Sequence, residues 1–67
     1  MMKDSIYDYI KSHQSEKTFW KTSEIATAFD LSSYLARYYL TQLCNEGKLQ
    51  RPQNQRGKAV LWTIPDD

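Results

Sequence analysis

The sequence lacks features that several large classes of protein require. It has one cysteine, Cys44, and one histidine, His13, among its 67 residues. A single cysteine excludes an intrachain disulfide, and the two residues are too few for a structural zinc site. No long apolar run is present, so we expect neither a signal peptide nor a membrane-spanning helix. These absences predict a cytoplasmic protein without a metal or another cofactor.

Catalytic arrangements are also missing from the sequence. With two glycines, the chain has no glycine-rich loop that could hold a phosphate or a cofactor. Its only histidine and only cysteine give no nucleophile paired with a base. We therefore predict that the protein is not an enzyme. The length allows a single small domain, residues 1–67, which buries only about 60% of the surface of its unfolded chain.

The net charge of +1 conceals an uneven distribution along the chain. Residues 33–58 carry a net charge of +4, whereas residues 1–32 carry −1 and residues 59–67 carry −2. The cations of the basic segment are Arg37, Lys48, Arg51, Arg56 and Lys58. Such a segment favours contact with nucleic acid, and a solvated charged surface is the alternative.

Apolar spacing and capping residues predict two helices in the first half of the chain. The first helix is expected from Asp4 to Ser12, with Asp4 or Ser5 as its cap. The second helix is expected to start at Thr22, as its N-cap, and to run to Phe29.

A third helix is expected from its N-cap Ser32 to Gly47, which suits a left-handed C-cap. Ala36, Leu40 and Leu43 recur at i, i+4 and i+7 and predict one buried face. The short interval between the second and third helices is typical of a helix-turn-helix.

The remaining β-prone segments predict strands. A short first strand is expected near Thr18–Trp20, and Lys48–Arg51 and Ala59–Ile64 are expected to form a hairpin around the turn Pro52–Gly57. The apolar residues of the last strand fall on both of its faces, so the spacing does not show which face is buried. The predicted fold is α+β, a winged helix-turn-helix of three helices followed by a β-hairpin wing.

The polar side of the third helix is the main candidate for a functional surface. Arg37 can donate a bidentate pair to guanine or bind a phosphate, and the hydroxyl groups beside it can bind bases or phosphates. The candidates are Ser33, Tyr34, Arg37, Tyr38 and Thr41. The alternative is an ordinary amphipathic helix whose tyrosines are half-buried at the edge of the domain.

Two further clusters are candidates for phosphate contacts. Arg51, Arg56 and Lys58 flank the predicted hairpin turn, where cations can reach DNA phosphates or the minor groove. The alternative is that these charges protect an edge strand from aggregation. At the start of the second helix, Lys21 and Thr22 could bind one phosphate with the backbone N–H groups, or Thr22 could merely cap the helix.

Five other residues are given structural roles. Tyr39 is predicted to pack against the core, and Cys44 is predicted to be a small side chain that is at least half-buried. His13 is predicted to lie on the surface at the end of the first helix. Phe19 and Trp20 are predicted to be core residues or a cover for the hairpin rather than a ligand platform.

Several short motifs resemble a known family. They are Lys-Thr-x-Glu-Ile-Ala at 21–26, Tyr-x-Ala-Arg-Tyr-Tyr-Leu at 34–40, Glu-Gly-x-x-Gln-Arg at 46–51, Arg-Gly at 56–57, and Trp62. Together they resemble the FaeA/PapI-like family of small winged-helix regulators of fimbrial (pilus) operons. The resemblance covers nearly all of Asp4 to Ile64.

The resemblance implies a bacterial transcriptional regulator of adhesin operons that binds double-stranded DNA. Members of this family are thought to act with the leucine-responsive regulatory protein on DNA containing GATC sites, where adenine methylation sets the state of expression. Carried over by motif, Tyr34, Arg37 and Tyr38 match the recognition helix of the family. Arg51, Arg56 and Gly57 match its wing, although Pro52 and the three polar residues after it make this wing tip less basic.

The sequence departs from the family pattern at two places. The connection from Gln14 to Trp20 is longer than the short polar link of the family, and Leu35 replaces a polar residue. An exposed Leu35 beside Tyr34 and Tyr38 keeps a second function open, a protein-interaction winged-helix module that docks on another regulator without direct base readout. Because cations are few, we also expect a partner protein or a weak homodimer.

Overall fold

The computed structural model describes residues 1–52 and 60–65. Within these ranges it has three helices and a two-stranded antiparallel sheet. The elements in chain order are α1 (Met2–Ser12), β1 (Trp20–Lys21), α2 (Thr22–Ala28), α3 (Ser33–Asn45) and β2 (Leu61–Trp62). A small α+β architecture, as predicted, is therefore confirmed.

Helix α1 begins two residues earlier than the sequence predicted. Met1 is its N-cap, no side chain caps it, and Asp4 lies within the first turn. The prediction that Asp4 or Ser5 caps the helix is therefore wrong, although a carboxylate in the first turn still favours the helix dipole. Ile6 and Ile10 form the buried stripe of this helix.

Helix α2 begins at Thr22, but its N-cap is Lys21. The prediction that Thr22 is the cap is therefore wrong by one residue. The helix ends at Ala28, and Phe29 is its C-cap rather than a residue of the last turn. A helix of only seven residues gains its stability mainly from packing, because isolated helices of this length are marginal in water.

A tight turn joins α2 to α3. Asp30 has a φ of 54°, in the left-handed region, and Leu31 donates its N–H to the carbonyl of Ala26 at 2.8 Å. This pattern closes the end of a helix. Leu31 is partly buried and packs against the core.

Both predicted ends of α3 are confirmed. The side chain of Ser32 accepts a hydrogen bond from the N–H of Leu35 at 3.1 Å. After Asn45, Gly47 adopts a φ of 81°, and Lys48 donates its N–H to the carbonyl of Leu43 at 2.9 Å. Glycine enters this backbone region without the steric cost that a side chain brings, so Gly47 favours the end of the helix at this point.

The sheet joins the middle of the chain to its last part. Trp20 pairs with Trp62 and Lys21 pairs with Leu61. The first strand therefore lies at Trp20–Lys21, not at Thr18–Trp20, and it pairs with the predicted last strand. Trp62 is fully buried, so the side of the last strand that carries Trp62 faces the core.

The predicted hairpin is described only in part. Of Lys48–Arg51, only Gln50 forms a bridge, with Thr63, through hydrogen bonds of 2.8 and 3.1 Å. The regular strand expected at Lys48–Arg51 is therefore wrong. Residues 53–59, which include most of the predicted turn, lie outside the described residues, and the wing stays a prediction.

Helix α3 lies at the centre of the core, since it packs against both α1 and α2. The core is formed by apolar side chains from the helices, β1, the segment after α3, and β2. Its buried members are Ile6, Ile10, Trp20, Ile25, Ala26, Ala36, Leu40, Leu43, Leu49 and Trp62. The predicted buried stripe of α3 is confirmed, and so is the packing of Tyr39 and Cys44 against the core.

An aromatic cluster covers one side of the core. The ring of His13 lies 4.5 Å from that of Tyr9, and its Nδ1 donates to the carbonyl of Tyr9 at 2.8 Å. His13 lies at the end of α1, as predicted, but it is half-buried rather than fully on the surface. Trp20 is buried as expected, whereas Phe19 is 47% exposed.

Candidate nucleic-acid interface

The side of α3 that faces away from the core carries large exposed side chains. Tyr34 is 79% exposed and Tyr38 is 50% exposed, and Arg37 between them is also exposed. The opposite side holds the buried Ala36 and Leu40. A straight helix with one buried side presents its other side to solvent as a continuous surface.

This surface has a shallow depression. Four predicted residues and two further ones line it: Tyr34, Arg37, Tyr38, Thr41, Gln42 and Asn45. Ser33, the fifth predicted residue, is exposed at the start of the helix and does not line the depression. The sequence reasoning missed Gln42 and Asn45, although they lie four and seven residues after Tyr38, which is the spacing of one helix face.

The hydroxyl group of Tyr38 in this depression accepts a hydrogen bond from a side chain one helical turn later. Gln42 donates a hydrogen bond from Nε2 to the hydroxyl oxygen of Tyr38 at 2.9 Å. The ring of Tyr38 meets that of Tyr39 edge to face, with 5.5 Å between centroids. The hydroxyl proton of Tyr38 remains available for an acceptor such as a phosphate oxygen.

The charge of Arg37 is not neutralised within the described part of the chain. The ion pairs among residues 1–52 and 60–65 join Lys3 to Glu46, Lys17 to Glu24, and Lys48 to Glu46. None of them involves Arg37. Its guanidinium can therefore offer its fork of N–H donors to an outside acceptor.

The start of α2 uses its polar groups internally. Lys21 donates its N–H to Oε1 of Glu24 at 2.7 Å, and Oγ1 of Thr22 accepts from Nε1 of Trp62 at 2.9 Å. A phosphate bound here would compete with the carboxylate of Glu24, although the side chain of Lys21 is exposed. The contact of Lys21 and Thr22 with phosphate stays a prediction.

Glu24 makes the stability of the fold depend on pH. The hydrogen bond from Lys17 and the N–H of Lys21 hold the pKa of the Glu24 carboxyl below its usual value. A lowered pKa in the folded state stabilises the fold above about pH 4.3, and this contribution is lost as the pH falls through the folded pKa. We expect Glu24→Gln to lower the free energy of unfolding by about 0.5–1 kcal/mol at neutral pH, because this half-exposed pair is screened by solvent.

Urea denaturation measured at steps from neutral pH to about pH 3.5 tests this expectation. The difference between wild type and Glu24→Gln should shrink as the carboxylate becomes protonated. The control is Asp8→Asn, which changes an exposed carboxylate of α1 and should give a small difference throughout. If the loss of unfolding free energy in Glu24→Gln does not change with pH, the role assigned to the Glu24 charge is contradicted.

One of the three predicted wing residues lies in the described structure. Cζ of Arg51 lies 5.3 Å from the centroid of the Trp62 ring. This geometry is a cation–π contact, which orients the guanidinium. Arg56 and Lys58 lie outside the described residues, and their role in a wing stays a prediction.

Two classes of site are not found in the described residues. Residues 1–52 and 60–65 contain no group of three or more histidine, cysteine, aspartate or glutamate side chains that could hold a metal ion. Over the same ranges, the helices are too short or too polar to cross a membrane.

The fold and the exposed side of α3 define a small α+β protein that presents one aromatic and basic helix to solvent. Comparison with known proteins gives a more specific result. The chain belongs to the family of FaeA-like proteins, whose pattern matches residues 2–66. The family resemblance that the sequence motifs indicated is confirmed.

Relatives from Escherichia coli have regulatory names. The chain is 41% identical to a major pilus subunit operon regulatory protein over 63 residues, which is 94% of this chain and 77% of the relative. It is 39% identical over 63 residues to the P fimbrial regulatory protein KS71A, with the same coverage. It is 45% identical to the Dr hemagglutinin AFA-III operon regulatory protein AfaF over 56 residues, which is 82% of this chain and 66% of the relative.

Proposed function

We propose that the protein is a bacterial, cytoplasmic regulator of a fimbrial operon that binds double-stranded DNA directly. The observation that carries this proposal is the exposed side of α3. Arg37 lies there between two exposed tyrosines, and it forms no ion pair with any described residue. The regulatory names of the relatives support the part of this proposal that concerns regulation of a fimbrial operon. A regulator needs no catalytic site, which agrees with the prediction that the protein is not an enzyme.

The arrangement of α2 and α3 supports a helix-turn-helix within a single winged-helix domain. Two packed helices are joined by the short segment 29–32, and the second helix has its outer side free. In such motifs the second helix enters the major groove. The wing would follow Gln50 and carry Arg51, Arg56 and Lys58 to the flanking phosphates.

The side chains of α3 offer both kinds of DNA contact. The guanidinium of Arg37 can pair with O6 and N7 of a guanine. Ser33, Tyr34, Tyr38 and Thr41 offer hydroxyl groups for phosphates or bases, and the two rings can contact a thymine methyl group or a sugar. Phosphate contacts would position the domain, whereas base contacts would provide sequence preference.

A partner protein belongs to this proposal. With few cations, the domain has little of the electrostatic attraction that dominates binding to DNA. The family resemblance suggests the leucine-responsive regulatory protein as the partner, on DNA that contains GATC sites. A weak homodimer would raise the affinity in the same way, because it doubles the number of contacts.

Titration of the labelled protein with a duplex containing GATC, followed by NMR at low and moderate salt, tests the proposal. We expect shifts in residues 33–45 that weaken as salt increases. Arg37→Ala should lower the affinity by about 5- to 150-fold, because one bidentate base contact contributes about 1–3 kcal/mol.

Two variants serve as controls for this titration. Arg37→Lys keeps the charge but loses the bidentate geometry, so it should bind more weakly than wild type. Lys11→Ala removes one charge from α1, outside the exposed side of α3, and should change the affinity little. If Arg37→Ala binds as tightly as wild type, direct readout through α3 is rejected.

A protein-interaction module is the second candidate function. Leu35 is 40% exposed on α3, and Tyr34 and Tyr38 beside it are residues typical of interface centres. In this case the exposed side of α3 would dock on another regulator without base readout. Binding that depends on Leu35 and is insensitive to salt would favour it over direct DNA binding.

A further inference from the structure

A second concave surface lies at the junction of α1 with the end of α3. It is formed by the outer side of α1, the turn after α3 and the segment after β2, and we call it the Tyr7 groove. Its lining includes Tyr7, Lys11, Gln14, Gly47, Lys48 and Ile64. None of these residues lines the depression on the exposed side of α3.

Two lysines each lie near the same aromatic ring in this groove. Nζ of Lys11 lies 5.9 Å from the centroid of Tyr7, and Nζ of Lys48 lies 5.5 Å from it. The electron-rich ring attracts each ammonium group. Two cations held near one ring in a concave surface form a site that favours an anion.

The carboxylate near this pair does not neutralise it. One oxygen of Glu46 is bonded to Lys3, and the other lies 3.8 Å from Lys48. Lys11 forms no ion pair with any described residue, and Asp8, three residues before it on α1, does not pair with it either. Among the described residues, Lys3 and Lys48 therefore share the Glu46 carboxylate and Lys11 has none, so this part of the groove carries more positive than negative charge.

We propose that the Tyr7 groove binds an acidic segment of a partner protein. A side-chain carboxylate of that segment would lie between Lys11 and Lys48, and apolar atoms next to it would contact Tyr7 and Ile64. Electrostatic complementarity of this kind provides specificity and a faster encounter. The proposal does not depend on DNA binding by α3.

The composition of the groove favours a peptide over nucleic acid. The ring of Tyr7 and the half-buried Ile64 and Pro65 provide apolar contact area, which a sugar-phosphate backbone uses little. Glu46 at the edge of the groove would repel a chain that carries one charge per nucleotide. A peptide with one or two carboxylates can place them beside the lysines and keep its apolar atoms on the ring.

The test uses a capped hexapeptide of alternating Glu-Leu pairs and the full chain labelled for NMR. We expect shifts confined to the residues of the Tyr7 groove. Lys11→Glu and Lys48→Glu should each weaken binding at least about tenfold, since a reversed charge replaces an attraction by a repulsion. The matched peptide in which Gln replaces Glu should bind at least about tenfold more weakly, because it keeps the shape and removes the charge.

The controls separate this proposal from the alternatives. Lys17→Gln removes a charge outside the groove without placing a second carboxylate beside Glu24, and it should leave peptide binding unchanged. The proposal is overturned if the Glu peptide causes no shifts, or if the Gln peptide binds equally well. It is also overturned if a short DNA duplex occupies the groove in preference to the peptide, or if the groove residues shift with protein concentration alone, which would indicate a second copy of the chain.

Failure of this test would not affect the proposed function, because the two surfaces share no lining residue. Arg37→Ala should leave peptide binding unchanged, and Lys48→Glu should leave the shifts of α3 on DNA in place. A variant that lost both activities would indicate unfolding, which the dispersion of the NMR spectrum would show directly.

Discussion

Replacing Leu40 with alanine is expected to lower the free energy of unfolding by about 2–5 kcal/mol. Leu40 is fully buried in the middle of α3, and α3 packs against both α1 and α2. The cavity would therefore open where three helices meet, and none of them could close it without moving away from another. Since a chain of this length has a total stability of about 3–10 kcal/mol, the loss would unfold much of the protein.

Leu35→Ala is the matched control for this prediction. It removes the same atoms from the same helix, but Leu35 is 40% exposed, so its loss should stay below about 1 kcal/mol. Urea denaturation followed by circular dichroism measures both variants. If Leu40→Ala does not fold, Leu40→Met, which nearly conserves volume, should lose less than about 1.5 kcal/mol. Equal losses at positions 35 and 40 would contradict the orientation of α3.

Features set by neighbouring residues could be predicted from the sequence. The start of α3 at Ser32 and its end before Gly47 depend on groups within one helical turn, so a short motif contains all the information. The same holds for the buried stripe of α3, since its spacing reflects a single helix period. The exposed side of α3 follows from that stripe, which is why most of its lining residues were predicted.

Features set by distant residues could not be predicted. Thr22 looks like a helix cap, but its hydroxyl accepts from Trp62, forty positions later. The strand at Trp20–Lys21 likewise takes its register from its pairing with Leu61–Trp62. Gln50 pairs with Thr63 in an isolated bridge, so a distant residue again decides the local structure. Local propensity is a weak guide to short strands, because the partner strand decides the pairing.

The Tyr7 groove is also set by residues distant in sequence, so it could not be predicted from the sequence. Lys11 and Lys48 are thirty-seven positions apart, and each alone reads as a solvated surface charge. Only the packing of α1 beside the end of α3 brings both to the ring of Tyr7. A charge count along the chain assigns Lys48 to the basic segment 33–58, but the fold places it on a different surface from Arg37.

Trp62→Ala is expected to lower the free energy of unfolding by about 3–5 kcal/mol. The side chain is fully buried, its backbone pairs with Trp20, and its Nε1 donates to Thr22 at 2.9 Å. The substitution would therefore remove core volume and the link between the last strand and the start of α2. It would also remove the ring that orients Arg51, so a predicted DNA contact would lose its support.

A pair of identical substitutions separates the hydrogen bond from the volume. Nε1 of Trp20 is buried and has no hydrogen-bond partner among the described residues, whereas Nε1 of Trp62 has Thr22. Trp62→Phe should therefore cost about 1 kcal/mol more than Trp20→Phe, because only the first change breaks a hydrogen bond. Thr22→Val should destabilise by about 1–3 kcal/mol, since it leaves the indole N–H buried and unpaired, and Thr22→Ser should cost less because it keeps the hydroxyl. Equal losses for the two Phe variants, with no loss for Thr22→Val, would show that this bond contributes nothing and that Thr22 is free to serve a ligand.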